Sequence, residues 1–206
     1  MNTIPSDIPV KRINNITGVV LAGGGLPSAG ADPAMRMFDG KPFIEHAVEL
    51  LYSVFDDVII VADHRSQYGF LNLPVYTNII KSDGPLGDVH SALINAPSED
   101  AFVIPCDLPF LRASVIQYII RNAGPHDVAV LNSGGIVQPM CGLYRSTCIM
   151  PIMQHTMRGR DSLRSVLNHV STKIITPDTA HEPMVHHAFI SAGESIGRFA
   201  DAAFAM

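Results

Sequence analysis

The chain has no tryptophan and only three cysteines, Cys106, Cys141 and Cys148. A count so sparse and odd argues against a disulfide framework and fits a reducing, cytoplasmic setting. Charge is scarce too: Asp, Glu, Lys and Arg make up 16% of 206 residues, with a formal net charge of −5. Nucleic-acid binding rests on clustered Lys and Arg, so this balance gives no electrostatic case for a nucleic-acid partner. The densest basic patch, Arg158-Gly159-Arg160 with Arg164, reads most simply as a solvated face. No apolar run reaches the roughly 18–20 residues that span a bilayer, so no membrane partner is expected. Residues Met1 to Asn15 are polar, carry Pro5 and Pro9, and lack the apolar core of a signal peptide. They read as a loose arm, 1–15, ahead of a single domain, 16–206.

What the chain does have is apolar residues in a regular pattern. They make up 47% of it, enough to exclude general disorder. Ile16 to Ala22, Val58 to Ala62, Ala101 to Pro105 and Asp127 to Leu131 are short apolar runs of the kind that form buried strands, and Leu73 to Thr77 is a weaker one. Between them lie helical spacings: a helix opened by Lys41-Pro42 and carried by Phe43, Ile44, Ala47, Val48 and Leu51, another through Ala96, and one over Ala113 to Asn122. Ser133-Gly134-Gly135 marks a hairpin turn before Val137 to Tyr144. Helices are expected over Thr147 to Met157 and Ser162 to His169, short strands at Thr172 to Ile175 and His186 to Ile190, and a terminal helix after Gly193. Repeated alternation of strand and helix predicts an α/β fold. It would have three layers, a mainly parallel twisted sheet with helices on both faces.

In such sheets, ligands bind beyond the carboxyl ends of the strands, and three motifs sit at such ends. Leu21-Ala22-Gly23-Gly24-Gly25 follows the opening strand, and glycines there let backbone N–H groups approach an anion, or simply turn the chain. Gly84-Pro85-Leu86-Gly87 opens a helix, whose first amides and positive dipole end could flank a base or a phosphate. Pro105-Cys106-Asp107-Leu108-Pro109 places a carboxylate directly after a buried strand. Asp107 could hold Mg²⁺ beside substrate phosphates, or cap a turn. Cys106 reads as a small buried hydrophobe and His46 as a packed or surface histidine. His181, His186 and His187 match no strong zinc spacing.

Taken in order, these motifs resemble the molybdenum cofactor guanylyltransferases, which are nucleotide-diphospho-sugar transferase-like and Rossmann-like in fold. The likeness runs from about Thr17 to about Leu167. It rests on Gly18-Val19-Val20-Leu21-Ala22-Gly23-Gly24, Asp39-Gly40-Lys41-Pro42-Phe43-Ile44-Glu45-His46, Gly84-Pro85-Leu86-Gly87, Pro105-Cys106-Asp107-Leu108-Pro109-Phe110 and Gln138-Pro139-Met140-Cys141-Gly142-Leu143-Tyr144. The resemblance implies transfer of GMP from GTP to molybdopterin with Mg²⁺ as cofactor. It implies nucleotide contacts at Leu21, Ala22, Gly23, Gly24, Asn78, Gly84, Pro85, Leu86 and Asp107, with Asp107 as catalytic and metal-binding carboxylate. It also admits molybdoenzyme-maturation proteins as partners. A cytidylyltransferase or a sugar-phosphate nucleotidyltransferase would share the same scaffold.

The chain departs from the family pattern at several positions. Ser28 and Pro33 stand where the family carries Arg and Lys, both expected to face the triphosphate. Asn78 replaces an Asp that contacts the nucleotide, and Asp88 replaces a glycine, adding negative charge near the proposed phosphate site. Ser191 to Ile196 replaces a family segment near the C-terminus. Arg36 and Lys41 are the nearest remaining cations; Arg36 reads as a solvated loop residue and Lys41 as serving the helix start. Losing one charge-stabilising donor typically costs about 10²–10³ in rate. These departures therefore favour a weakened enzyme, or a non-catalytic nucleotide- or partner-binding homologue.

Overall fold

A computed structural model of the protein describes residues 12–22, 32–80, 82, 84–160 and 162–189. The strands are β1 (Ile16–Ala22), β2 (Met37–Phe38), β3 (Lys41–Pro42), β4 (Val58–Ala62), β5 (Val75–Tyr76), β6 (Asp100–Pro105), β7 (Val128–Ser133), β8 (Ile136–Arg145) and β9 (Thr172–Ile175). The helices are α1 (Phe43–Tyr52), α2 (Leu86–Asn95), α3 (Ala113–Asn122), α4 (Ile149–Met157), α5 (Leu163–Leu167) and α6 (Glu182–Ala188). Seven strands form one sheet in the order β5-β4-β1-β6-β8-β7-β9, while β2 and β3 pair as a small hairpin. In the large sheet β8 is antiparallel to both neighbours and every other adjacent pair is parallel.

The side-chain period of two divides the core between the two faces. Val20 and Ala22 of β1 look toward α1, α3 and α6, while Val19 and Leu21 look toward α2, α4 and α5. On the first face α1 seats Ile44, Ala47, Val48 and Leu51, α3 seats Val115, Ile116 and Ile119, and α6 seats Val185 and Ala188. On the second, Leu86, Val89, Ala92 and Leu93 of α2 meet Ile152 of α4 and Leu163 and Val166 of α5. Each large side chain buried this way contributes about 1.5–3 kcal/mol of transfer free energy. The expected three-layer α/β architecture is therefore the one observed.

One expected element is different. Residues 186–188, expected in a strand, lie in α6, and Phe189 follows in a turn. Pro183 sits in the first turn of that helix, where its missing N–H has no cost. Val185 and Ala188, three apart, then bury together. The position expected for Ile190, the segment after Gly193 and the arm before Arg12 lie outside the described residues.

At Gly142 a side chain has no room: a Cβ would stand 2.5 Å from the carbonyl oxygen of Ala129 and 2.7 Å from Val130 Cγ1. This is where the β7–β8 pairing shifts register between Val130 and Leu131. The glycine lets the two backbones close across the irregularity.

Candidate functional site

Because β5, β4, β1 and β6 are parallel, their carboxyl ends share one edge of the sheet, and the motif residues line that edge. Leu21 pairs in register with Pro105, and the amide of Cys106 donates to the carbonyl of Leu21 at 3.2 Å. The ends of β1 and β6, from which the glycine-rich segment and the Asp107 turn continue, are therefore neighbours at the same level, about 5 Å apart. Gly23 and Gly24 lie outside the described residues, as does Ser28. Asn78 follows β5, and α2 opens at the same edge. From β5 to β6 the edge spans three strand spacings, roughly 14 Å.

Asp107 is 2% exposed, and neither carboxylate oxygen has a hydrogen-bond partner among the described residues. It does not cap its turn. Burial pushes its carboxyl above the usual range, opposed by its own backbone amide and by the charge of Arg36. A buried carboxylate left without donors is costly, and such groups persist where a ligand or ion completes them. Mg²⁺ asks for one or two carboxylates with phosphate oxygens and water, so this single carboxylate fits it. No cluster of three or more acidic, His or Cys groups suited to a metal occurs among the described residues, so substrate phosphates would have to supply the remaining ligands.

Tyr68, on the 3₁₀ helix Arg65–Leu71 after β4, was not foreseen from the sequence. Its buried hydroxyl donates to Asp32 Oδ2 and lies 3.4 Å from the carbonyl oxygen of Ala22. It thus links the two residues that bracket 23–31. Asp32 Oδ1 accepts from the amide of Ala34 at 2.9 Å, so this carboxylate is committed to the local turn. Burial, then Asp32, raises the Tyr68 hydroxyl above its ordinary pKa. Pro33 follows as the first residue of a short 3₁₀ turn, and Arg36 closes it with its chain amide on the Pro33 carbonyl. Arg36 is exposed, yet its charge reaches Asp107.

At the other end of the edge, the amide of Gly84 donates to Ser82 Oγ at 3.2 Å, so it is not free for a ligand. Helix α2 begins at Leu86 with no side-chain cap on Pro85, which leaves its first amides to other partners. The side chains of Leu21 and Leu86 belong to the core, so any ligand contact from them is through backbone. Asp88 is not turned toward phosphates: it is 5% exposed and accepts from Asn78 Nδ2 at 2.7 Å.

Other candidate groups are accounted for elsewhere. Lys41 Nζ meets Glu49 Oε1 at 2.5 Å and serves α1. His46 Nε2 lies 2.7 Å from the carbonyl oxygen of Phe38. His181 pairs with Asp178 at 2.6 Å and stacks on Tyr118, while His186 and His187 sit exposed on α6. Cys106 is fully enclosed, and burial followed by Asp107 and Asp32 pushes its thiol well up, which leaves no reactive thiolate. A cleft of about 480 Å³ lies at the opposite edge, between Asn14–Asn15, Pro97–Asp100 and Arg145. Arg145 is consumed there by Asp100 at 2.9 Å and by the carbonyls of His126 and Gly124. That cleft has no part in the strand-end constellation.

A mainly parallel α/β sheet with helices on both faces, and at its carboxyl edge a buried aspartate with no side-chain hydrogen-bond partner among the described residues, is a scaffold of the nucleotidyltransferase class. The chain belongs to the MobA-like NTP transferase domain family, whose description matches residues 18–174. It is 34% identical over 163 residues to a molybdenum cofactor guanylyltransferase of Desulfosudis oleivorans, covering 78% of this chain and 81% of that protein. Among solved structures it is similar to a protein of Aquifex aeolicus, with a TM-score of 0.73 and 25% identity, covering 86% of this chain and 93% of the other. It is also similar in fold to the molybdopterin-guanine dinucleotide biosynthesis protein A of Archaeoglobus fulgidus. There the TM-score is 0.72 and identity 17%, over 88% of this chain and 94% of the other. No helix among the described residues is long and apolar enough to cross a membrane.

Proposed function

We propose that the protein transfers GMP from GTP to molybdopterin, releasing pyrophosphate. The single observation that carries this reading is the Asp107 carboxylate, buried and without a hydrogen-bond partner among the described residues, one strand away from the end of β1. An oxygen of the pterin phosphate attacks the α-phosphorus, a new P–O bond forms, and the bond from that phosphorus to the β-phosphate oxygen breaks. The nucleophile is already an anion, so no general base is needed. The protein's task is alignment and charge neutralisation. The backbone at Leu21, Ala22, Gly23 and Gly24 is assigned to the nucleotide, together with Asn78, Pro85 and the backbone of Leu86; Asp107 is assigned to the metal. Mg²⁺ held there would neutralise phosphate charge as it develops. Arg36, whose charge already reaches Asp107, supplies the nearest guanidinium to the same corner.

The test is GMP transfer to molybdopterin with Mg²⁺, wild type against Asp107→Ala. Product from the wild type that falls by about 10²-fold or more in the variant supports the assignment; equal product from both sinks it. A second reading, a nucleotide-binding homologue without turnover, is favoured by Pro33, which brings neither charge nor an N–H donor. It predicts GTP binding with no pyrophosphate release.

A further inference from the structure

Two departures from the family pattern, Asn78 and Asp88, touch one another. Asn78 Nδ2 donates to Asp88 Oδ1 at 2.7 Å. An ionised carboxylate only accepts, so the orientation of the amide is settled: its nitrogen faces Asp88 and its oxygen faces away. That oxygen, Asn78 Oδ1, is buried and has no partner among the described residues. The segment is strapped down around it. The amide of Ile79 donates to Ser91 Oγ at 2.9 Å. At Gly87 a Cβ would stand 3.0 Å from the Ile80 carbonyl oxygen and 3.6 Å from Asn78 Cγ, so the strap rides directly on the first turn of α2.

Resting on the guanylyl-transfer reading, we infer that Asp88 is a specificity-determining positioning residue: it holds the Asn78 amide so that its carbonyl oxygen faces the nucleobase and makes that corner acceptor-only. The corner lies at the β5 end of the edge, roughly 14 Å from the Asp107 end, a separation suited to base at one end and phosphates at the other. An acceptor-only corner suits guanine, whose N1–H and N2–H₂ are adjacent donors. Cytosine and adenine set an acceptor beside their amino group, and uracil flanks its one N–H with two acceptors. A site built on polar partners rejects a base that leaves them unpaired.

The state of Asp88 gives the device a pH signature. Burial raises its carboxyl to about 6, with the Asn78 hydrogen bond opposing and Asp63, at the end of β4, adding to the rise. His90, two positions along α2, is buried and held below the usual histidine range. At neutral pH Asp88 is ionised and fixes the amide. Below its pKa the carboxyl can itself donate, and the orientation is no longer enforced.

The experiment is calorimetric titration of the full chain with Mg²⁺ and GTP, ATP, CTP or UTP, for wild type, Asp88→Ala, Asp88→Asn, Asn78→Ala and the double alanine variant, with a thermal melt of each. Wild type should prefer GTP at pH 7.5. Asp88→Ala should lose about tenfold of that preference, as expected when one oriented hydrogen bond goes. The double variant should lose no more than Asn78→Ala alone, since the two residues act as a unit. Asp88→Asn can donate as well as accept, so it enforces neither orientation and should lack the preference at both pH 7.5 and pH 5.5, whereas wild type shows it at pH 7.5 and loses it at pH 5.5. Unchanged preference in Asp88→Ala, or losses that add in the double variant, overturns the inference and leaves guanylyl transfer standing. A wild type that binds none of the four nucleotides, or prefers another base, overturns both. If Asp88→Ala fails to fold, the comparison of wild type with Asp88→Asn across pH decides: parallel pH profiles overturn the inference.

Discussion

Tyr68 donates its hydroxyl proton to the carboxylate of Asp32 while lying 3.4 Å from the carbonyl oxygen of Ala22. One buried phenol thus sets the separation between the residues on either side of 23–31. Tyr68→Phe removes that link and leaves the ring in place. The expected cost is about 1–2 kcal/mol of stability, a lost hydrogen bond plus an under-satisfied acceptor. The larger effect should be on ligand affinity, with the dissociation constant for GTP rising several-fold because Ala22 and Asp32 are no longer tied through one phenol. Calorimetry and a thermal melt on the same sample test this, and unchanged GTP affinity in a variant with a lowered Tm would reduce Tyr68 to a packing residue.

Asp107 should show the opposite balance between stability and function. Its carboxylate is buried with no side-chain hydrogen-bond partner among the described residues, and burial outweighs its own amide and Arg36, so the charge is poorly compensated without nucleotide. Asp107→Asn removes that charge and is expected to raise the stability of the nucleotide-free protein by on the order of 1–3 kcal/mol. The same change should abolish the stabilisation that Mg²⁺ with GTP gives the wild type. Thermal melts with and without Mg²⁺ and GTP check both halves, and a destabilised variant in the nucleotide-free state would show that the carboxylate has donors of its own.

The parts of the fold that the sequence makes legible are those set by local periodicity. The runs Ile16 to Ala22 and Val58 to Ala62, the helix Ala113 to Asn122 and the strand Thr172 to Ile175 lie where their spacing puts them. The Asp39-Gly40 step, which places positive φ at both residues of the β2–β3 turn, is a hairpin signal in plain view within a stretch otherwise read as the lead-in to a helix. Residues 186–188 mislead because so short a stretch has no preference of its own; Pro183 and the burial of Val185 with Ala188 decide for helix. For the site, Asp107 is legible because a carboxylate after a buried strand has few bland uses. Tyr68 is not, because its contact with Ala22 crosses 46 positions. Nor is the meeting of Asn78 with Asp88, where each residue alone looks like a loss and only the strap on α2 makes them a pair.

Pro33 offers a test by restoration. It opens a 3₁₀ turn capped by Asp32, a position that other residues can occupy without strain, and its neighbour Ala34 is buried beneath. Pro33→Lys should therefore fold normally while adding a cation to the corner where the charge of Arg36 reaches Asp107. One added charge-assisted contact is worth about 1.5 kcal/mol, so GTP should bind about tenfold tighter. Guanosine, which has no phosphate, should gain nothing. Equal affinity of wild type and variant for GTP would mean that position 33 does not face the triphosphate.

The acid behaviour of Asp88 has a sign that can be worked out. Its folded pKa is about 6 against 3.8 for a free aspartate, so the folded state binds this proton more tightly than the unfolded state. Stability from that preference is fully present below the unfolded value and is lost as pH rises through about 6. Above pH 7, then, the wild type carries the cost of a buried ionised carboxylate, on the order of 1–3 kcal/mol. Asp88→Asn does not carry it, and should be the more stable protein at pH 8. The gap should narrow through pH 6 and close near pH 4, as Asp88 becomes neutral in the wild type as well. His90, held below the usual histidine range by burial, is common to both proteins and cancels in their difference. Denaturant unfolding of the pair at pH 8, 6 and 4 measures the gap. A gap that widens toward acid would mean that Asp88 is stabilised as its anion, by groups beyond Asn78.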